Sequence, residues 1–308
     1  MSSSARLAVV LVVPVVLLAA ACKGDPGQER IASAAGDISV VTQADGSSVA
    51  TQAYTVVSGD SLWAISQQFC TSVPVLVQLN GLDSTKEMKH LVGLPKWMAQ
   101  RGVSSLVVDQ PGTGEALRLQ GLTARFDAEH WASRVVDYLE SRDDVDPQRI
   151  GCEGVSLGGY YCPRVVAMEP RFAAGVCWGA NHDWRDVQKR RLEREGDFPV
   201  PHYWAHVCWV WGARDIDDFM RIAEDVHLDG VVEKIRVPFL VTHGERDSQI
   251  PLKWAHRTYE QLVNSPQREL KVFTDREGGV QHASFDNSIN AGHYIADWMA
   301  RALGGRTA

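Results

Sequence analysis

The sequence predicts an α/β fold: a doubly wound, mostly parallel sheet that carries a helical cap insertion and follows a small N-terminal module. Three observations lead to this prediction. Apolar runs typical of buried strands alternate with amphipathic runs typical of helices from residue 73 to the C-terminus. One apolar run leads directly into a Gly-x-Ser-x-Gly-Gly turn at 154–159. The alternation stops between about 181 and 233, a stretch rich in Trp, His and charge, as expected of an inserted cap.

Length and charge limit the classes of protein that fit. The chain has 308 residues, of which 45% are hydrophobic, enough for one sizeable core and a small extra module. The net charge is −7 without a long run of one sign, which disfavours nucleic-acid binding because that needs a concentrated basic patch. No Gly-x-Gly-x-x-Gly or Gly-Lys-Ser/Thr loop follows a strand, so we expect no nucleotide and no other cofactor.

The N-terminal residues indicate export. Arg6 precedes an apolar run at 7–21, too short for a membrane span but typical of a signal peptide. Small residues lead directly to Cys22, which resembles a bacterial lipobox in which the Cys is lipidated; ordinary signal cleavage beside Cys22 is the alternative. We therefore assign 1–22 to a signal and lipobox and 23–52 to a disordered tether. The expected location is the bacterial cell envelope, with a lipid anchor in the membrane.

The cysteines and paired histidines indicate packing rather than metal or disulfide chemistry. The six cysteines show no Cys-x-x-Cys spacing. Cys152 and Cys177 fall in predicted buried strands, where Cys packs as a small apolar residue. His202 and His206 stand four apart, but no third ligand accompanies them. We expect no metal site.

Residues 54–65 read Tyr-Thr-Val-Val-Ser-Gly-Asp-Ser-Leu-Trp-Ala-Ile. Tyr and Val alternate as on a short strand, a Gly-Asp turn follows, and Leu and Ile then share one helix face. This pattern resembles the opening of a LysM module, a small peptidoglycan- and chitin-binding domain. The resemblance covers about 53–83 and lacks a closing strand. It implies that Gly59, Asp60 and Ser61 face a glycan.

The remaining elements follow in order to the C-terminus. Predicted strands are 73–79, 104–108, 149–153, 173–178, 237–242 and 269–273, and predicted helices are 85–101, 127–142, 157–169, 252–263 and 287–303. They form one domain at 73–305. The cap contains Trp178, Trp184, Trp204, Trp209 and Trp211, which either line an aromatic substrate pocket or pack the cap onto the sheet.

Ser156 carries the strongest chemical signal. An apolar strand enters Gly154-Val155-Ser156-Leu157-Gly158-Gly159 and a helix follows, which is the arrangement of a nucleophile elbow. Glycines allow the sharp turn that exposes the Ser hydroxyl. The helix then directs its first N–H groups at the place where an oxyanion develops.

Partners for Ser156 are expected later in the chain, in the order acid and then base. Asp247 follows the strand at 237–242 and is the best acid, with Glu245 as the alternative. His282 lies between the last strand and the last helix. Ser156 would attack, His282 would carry the proton, and Asp247 would orient the imidazole.

The oxyanion hole needs two N–H donors. Leu157 supplies the first, because it follows the nucleophile. The second normally comes from the loop after the strand that precedes the first long helix. Here that loop is 80–83, and either Gly81 or Leu82 is the donor.

Six stretches identify a closer family resemblance: 80–84, 109–115, 154–160, 179–184, 243–251 and 278–282. They resemble the dihydroxypseudooxynicotine hydrolase-like branch of the α/β-hydrolases, which includes fungal polyketide-shortening hydrolases. The resemblance implies cleavage of a carbon–carbon bond next to a ketone, with a Ser-Asp-His triad aided by a Glu that matches Glu115. Ester hydrolysis stays open. An aromatic ketone or ester is the expected small-molecule substrate. Because relatives often form dimers, the resemblance is also compatible with a homodimer.

Residues 73–83 belong to both the predicted LysM module and the predicted hydrolase domain. In a LysM module they form a helix and loop, whereas in the hydrolase they form a strand and an oxyanion loop. The run is β-branched and almost continuously apolar, which favours a strand buried on both faces. We therefore expect an active hydrolase that lacks the N-terminal strands of its relatives. The alternative is a peptidoglycan-binding LysM lipoprotein with a truncated, inactive hydrolase domain.

Overall fold

The computed structural model of the chain describes residues 72–194 and 201–305, together with the backbone of three strands at 9–15, 38–42 and 48–56. The chain divides into two units, 1–73 and 74–308, which are described separately.

The N-terminal unit contains an antiparallel three-stranded sheet. Its strands are β1 (Val9–Val15), β2 (Ile38–Thr42) and β3 (Ser48–Val56). The long β3 lies between the other two. β2 and the start of β3 fall inside the segment predicted as a disordered tether, and the structure differs from that expectation at these residues. Their sequences are rich in Val, Ile and Thr, which favour extended backbone.

The second unit is built on a six-stranded parallel sheet. Its strands are β4 (Val73–Leu79), β5 (Ser104–Val108), β6 (Val145–Val155), β7 (Ala174–Trp178), β8 (Phe239–Gly244) and β9 (Arg268–Phe273). The order is β5-β4-β6-β7-β8-β9. The direction of winding reverses between β4 and β6, and ligands bind at the carboxyl ends of strands beside such a switch point.

Helices cover both faces of this sheet and form the cap. They are α1 (Lys86–Val92), α2 (Leu94–Ala99), α3 (Gly114–Arg118), α4 (Glu129–Glu140), α5 (Gly158–Met168), α6 (Trp184–Glu193), α7 (Tyr203–Trp211), α8 (Ile216–Ala223), α9 (Lys253–Gln261) and α10 (Ser288–Ala302). The predicted helix at 85–101 is divided by Gly93, whose φ of 98° belongs to the left-handed region. Helices α6, α7 and α8 form the cap between β7 and β8.

The segment shared by the LysM and hydrolase predictions forms β4, a strand of the hydrolase sheet, as predicted. Val75 to Leu79 pair in parallel with β5. Leu76 is buried in the hydrophobic core on one face of the sheet, and Val75 and Val77 are buried in the core on the other. Burial on both faces explains why the run lacks the polar alternation of a surface strand.

Two features are absent from the described residues: a helix able to cross a bilayer and a cluster of metal ligands. None of their helices combines the length and apolar character that crossing a bilayer requires. Their Cys, His, Asp and Glu side chains also form no group of three or more that is suited to a metal ion. Cys152, Cys162 and Cys177 are free thiols and are buried.

Candidate active site

Ser156 sits on a sharp turn between β6 and α5. Its φ is 59°, which is rare for a residue with a side chain, and its N–H donates to the Trp178 carbonyl at 2.9 Å. The turn depends on its glycines. A Cβ on Gly154 would lie 2.0 Å from the Gly158 carbonyl oxygen, and a Cβ on Gly159 would lie 2.1 Å from the Gly179 carbonyl oxygen. Only hydrogen at these positions allows the strand, the turn and the helix to approach so closely.

The Ser156 hydroxyl is hydrogen-bonded to an imidazole. Ser156 Oγ lies 2.8 Å from Nε2 of His282, and Nδ1 of His282 lies 2.8 Å from Oδ2 of Asp247. An ionised carboxylate only accepts hydrogen bonds, so Nδ1 carries the proton and Nε2 is free to accept from the hydroxyl. The structure therefore brings together three residues that are 126 and 35 positions apart in the sequence.

Asp247 is held as an oriented carboxylate. Its side chain is fully buried, and its Oδ1 accepts the N–H groups of Gln249 and Ile250, both at 2.8 Å. Burial opposes ionisation, but the hydrogen bond and charge of His282 and the backbone hydrogen bond hold the pKa of Asp247 below its ordinary value. The alternative acid, Glu245, is exposed and makes no hydrogen bond to His282.

The loop that carries His282 is tied by a second carboxylate. Asp286 accepts the N–H groups of Gly279, Val280 and Gln281 at 2.8 to 3.0 Å. Three N–H groups converging on one carboxylate hold the pKa of Asp286 below its ordinary value, although burial opposes this. Sequence reasoning missed Asp286, whose position four residues after the His was the available signal.

A buried histidine, His243, supports the loop that carries Asp247, which we call the acid loop. His243 Nδ1 accepts the Ala180 N–H at 3.1 Å, and its Nε2–H donates to the Ile250 carbonyl at 2.8 Å. Nε2 also lies 3.6 Å from Oδ2 of Asp247. Because Nδ1 accepts a hydrogen bond, the ring is neutral, and burial lowers the pKa of His243 in the same sense. This residue was also missed, because a His at the end of a strand has no distinctive sequence signal.

Two N–H groups beside Ser156 are available for an oxyanion. Among the described residues, neither Leu82 N–H nor Leu157 N–H donates a hydrogen bond to the protein. Gly81, the other sequence candidate, is not available, because its N–H donates to Ser84 Oγ at 2.8 Å. The 80–83 loop packs on Ser156: a Cβ on Gly81 would lie 3.2 Å from the Ser156 Cβ.

A cavity of about 390 Å³ opens beside Ser156 and His282. This volume falls within the range of roughly 300–1,000 Å³ that is typical of small-molecule sites. Its side walls come from the oxyanion loop, the cap helix α6, the acid loop and the His loop. The residues that give it chemical character are Leu82, Asp83, Asn181, Trp184, Gln188, Arg191, Tyr203 and Phe285.

The predicted aromatic lining is mostly cap packing. Of the five tryptophans, only Trp184 lines this cavity, and Trp178 lines a small apolar cavity beside it. Trp211 packs on Trp184 with ring centres 5.1 Å apart, and Trp204 packs on Phe219. Trp209 is 47% exposed. Two of the five indoles, those of Trp204 and Trp211, therefore pack within the cap, and Trp184 is the one that lines the cavity beside Ser156.

Glu115 lies outside the cavity. Its carboxylate pairs with Lys86 Nζ at 2.9 Å, and its side chain is 62% exposed. The adjacent Asp109 is the buried acid of this loop. It accepts the N–H groups of Lys86 and Glu115 and the Asn80 side-chain amide at 2.8 to 3.0 Å. The structure thus differs from the expectation for Glu115 because the loop uses its acids to fix the oxyanion segment.

Four other predicted site residues cannot be placed. Cys22, Gly59, Asp60 and Ser61 lie outside the described residues. Lipidation and glycan contact at these positions stay predictions.

Comparison with known proteins identifies the fold and the family of the chain. Residues 93–306 match the model of the prolyl oligopeptidase family, and residues 54–86 match that of the LysM domain. Hydrolase acrC from Aspergillus aculeatus is 29% identical over 239 residues, which cover 67% of this chain and 55% of that protein. The 2,6-dihydropseudooxynicotine hydrolase of Paenarthrobacter nicotinovorans is 29% identical over 236 residues, which cover 75% of this chain and 58% of that one. The chain thus spans little more than half the length of these two relatives.

Solved structures show the same fold. A crystal structure of 2,6-dihydroxy-pseudo-oxynicotine hydrolase has a TM-score of 0.65 at 23% identity and covers 91% of this chain and 72% of that chain. The α/β hydrolase GrgF from Penicillium has a TM-score of 0.57 at 17% identity and covers 87% of this chain and 99% of that chain. The chain belongs to the prolyl oligopeptidase family, and its large domain is an α/β-hydrolase.

Proposed function

We propose that this enzyme is a serine hydrolase in which Ser156 is the nucleophile, His282 the general base and Asp247 the residue that orients the imidazole. One observation carries the proposal. The three side chains form a continuous hydrogen-bonded chain with separations of 2.8 Å and 2.8 Å, and it ends at a cavity of small-molecule size. Nucleophile, base and orienting acid within hydrogen-bond reach of each other are the geometric signature of an activated serine.

The first step is acyl transfer to Ser156. The hydroxyl oxygen bonds to the carbonyl carbon of the substrate while its proton passes to Nε2 of His282. The carbonyl oxygen becomes an oxyanion, which accepts hydrogen bonds from the N–H groups of Leu82 and Leu157. Asp247 stabilises the imidazolium that forms, because its carboxylate accepts the Nδ1–H.

Collapse of this intermediate breaks the bond to the leaving group. The imidazolium of His282 gives its proton to the leaving atom, and the acyl group stays on Ser156. Water then attacks the acyl carbon with His282 as the base, and the hydroxyl of Ser156 is regenerated. Removal of one oxyanion donor costs about 10²–10³ in kcat in comparable enzymes, so Leu82 N–H carries a substantial share of the rate.

Among substrates, the geometry favours an ester over a ketone. An ester releases an alkoxide, which His282 alone can protonate. Cleavage of a carbon–carbon bond beside a ketone releases a carbanion, which is more basic and benefits from a second acid. The acid that the family resemblance implies, Glu115, pairs with Lys86 outside the cavity. We therefore propose an ester of a small, partly aromatic compound as the first substrate, and a ketone as the second.

A matched pair of variants tests the nucleophile. The full chain is treated with a fluorophosphonate probe, beside Ser156→Ala and Ser248→Ala. Ser248 is exposed on the acid loop and makes no recorded contact with His282. We expect labelling of wild type and Ser248→Ala and none of Ser156→Ala. Equal labelling of wild type and Ser156→Ala would exclude Ser156 as the nucleophile.

We further propose that the LysM segment associates the enzyme with peptidoglycan at the cell envelope. The match to the LysM model at 54–86 supports this. Its last part, however, includes β4, which the hydrolase sheet uses. Binding should therefore rest on the residues before β4. Sedimentation of the full chain with purified peptidoglycan, compared with Asp60→Ala and Ser61→Ala variants, tests this: unchanged retention by both would remove these residues from the interaction.

A further inference from the structure

Arg191 gives the cavity a feature that ester hydrolysis alone does not require. It lies on α6 and lines the cavity beside Ser156. Apart from His282, it is the one basic side chain among the described residues that line this space. None of the steps proposed for Ser156, His282 and Asp247 uses it. Its presence on the wall therefore points to recognition of the substrate.

The guanidinium of Arg191 is positioned before any substrate binds. Its Nη2 donates to Oε1 of Gln249 at 3.1 Å, and its central carbon lies 4.1 Å from the centre of the Tyr203 ring. The Tyr203 hydroxyl in turn donates to Oε1 of Gln188 at 2.7 Å. Stacking on an aromatic ring is favourable for a guanidinium and fixes its plane. The cation is thus preorganised on the cavity wall.

This cation has no carboxylate partner among the described residues. Its one recorded side-chain hydrogen bond is the contact with the neutral Gln249 amide, and its Nε is buried with no acceptor. By contrast, Arg185 on the same helix pairs with Asp183 and Glu224, both at 3.1 Å. A partly buried charge without a partner is unfavourable, and a bound anion would relieve that cost. The N–H groups of Nη1 and Nη2 that Gln249 does not use match the oxygens of a carboxylate.

The surrounding charge also favours an anion. Helix α6 carries four basic and two acidic residues, although the chain as a whole has a net charge of −7. Asp186, one of these acids, already pairs with Lys253 at 3.1 Å. Among the described residues, the one carboxylate that lines the cavity belongs to Asp83, which is exposed at the oxyanion loop. Basic side chains thus outnumber acidic ones on α6, whereas the 80–83 loop contributes a carboxylate to the cavity.

We propose that Arg191 is the anchor for a carboxylate on the substrate, so that the enzyme prefers monoanionic esters or ketones whose acid group lies on the side of the cap. This inference rests on the proposed function and names its substrate class. The carboxylate binds the guanidinium, and the carbonyl group then lies between Ser156 and the N–H groups of Leu82 and Leu157. Asp83 repels a second negative charge, so a dianion is a poorer substrate than a monoanion.

The test compares a charged and a neutral ester that share one leaving group. The full chain is assayed with 4-nitrophenyl butyrate and with the 4-nitrophenyl half-ester of glutaric acid. We expect Arg191→Gln to lower kcat/KM for the half-ester at least tenfold and to change the neutral ester less than twofold. Arg191→Lys should recover part of the loss, because it restores the charge without the planar fork.

A neighbouring arginine supplies the control. Arg190 lines a different cavity and does not line the one beside Ser156. Arg190→Gln should leave the ratio of the two kcat/KM values unchanged. Two results would overturn the proposal. Equal losses of kcat/KM on both esters in Arg191→Gln would indicate a general effect on the fold. A change of the kcat/KM ratio in Arg190→Gln as large as that in Arg191→Gln would indicate a general effect of positive charge on α6.

A binding measurement separates this inference from the hydrolase proposal. Monomethyl glutarate, which carries one negative charge at neutral pH, is titrated calorimetrically into Ser156→Ala and into Ser156→Ala combined with Arg191→Gln. Binding that disappears in the double variant supports the anion site even if wild type hydrolyses neither ester, an outcome that would reject only the hydrolase proposal. Equal binding, or no binding to either variant, rejects the anion site.

Discussion

A buried ion pair on the strand that leads to Ser156 offers a quantitative test of the structure. Lys89 on α1 donates to Glu153 on β6 at 2.9 Å, and the two side chains are 6% and 0% exposed. Burial raises the pKa of Glu153, and Lys89 acts in the opposite direction. The second carboxylate oxygen of Glu153 has no hydrogen-bond partner, so Lys89 is its principal compensation.

The magnitude follows from this burial. Removing one partner of a buried pair leaves an uncompensated charge and costs about 3–5 kcal/mol. We therefore expect Lys89→Met to lower the free energy of unfolding by about that amount. Combining it with Glu153→Leu removes both charges, and the double variant should return to within about 1–2 kcal/mol of wild type. The coupling between the two substitutions should thus be large and favourable.

Urea unfolding of the full chain, followed by tryptophan fluorescence, measures these values. The exposed pair of Arg134 with Asp137 serves as the control, with side chains that are 84% and 45% exposed. Exposed pairs contribute about 0–1 kcal/mol, so Arg134→Met should have little effect. If Lys89→Met is no more costly than Arg134→Met, or if the double variant is less stable than Lys89→Met alone, the reasoning from burial is wrong.

Four further predictions concern the site and its support. Asp247→Asn should lower kcat by about 10⁴ in steady-state ester assays, because the imidazole loses the acceptor that fixes its tautomer. His243 is neutral in the folded state and binds a proton near pH 6.5 when unfolded. Its contribution to the free energy of unfolding is therefore complete above pH 6.5 and declines as the pH falls below that value. His243→Gln should flatten the pH dependence of urea unfolding in that range. Glu115→Gln should leave ester kcat/KM within twofold, since this side chain lies outside the cavity, and a tenfold loss would contradict that placement. Gly159→Ala should reduce both stability and labelling by the fluorophosphonate probe, whereas Gly230→Ala, with nothing within 4 Å of the added Cβ, should cost only about 1–2 kcal/mol of backbone strain.

Much of the fold was readable from the sequence because its signals are local. The strand at Val73–Leu79 follows from an apolar β-branched run, and its observed bounds equal the predicted ones. The turn at Ser156 follows from glycines that only a tight strand-to-helix crossing requires. Its partners were found by chain order, since a parallel sheet brings the loops after successive strands to one edge.

The missed residues share a different property: their roles depend on contacts between distant segments. Arg191 is one of several arginines on a charged helix, and nothing in its sequence neighbours separates it from Arg190. Its significance appears only when Tyr203, from the next cap helix, packs beneath it. Glu115 is the opposite case. A family pattern indicated a catalytic acid, but the side chain turns toward Lys86.

The position of β4 in the sheet has a consequence for how the chain acquires its structure. This strand emerges early in synthesis, yet it lies between β5 and β6, and β6 begins only at Val145. At about 5–20 residues per second, an apolar run that needs two partners waits several seconds for the second one. During that interval the segment can still fold with the preceding residues of the LysM match, which includes it. β4 can therefore pair with β5 first, whereas its other edge gains a partner only after the strand that leads to Ser156 has been made.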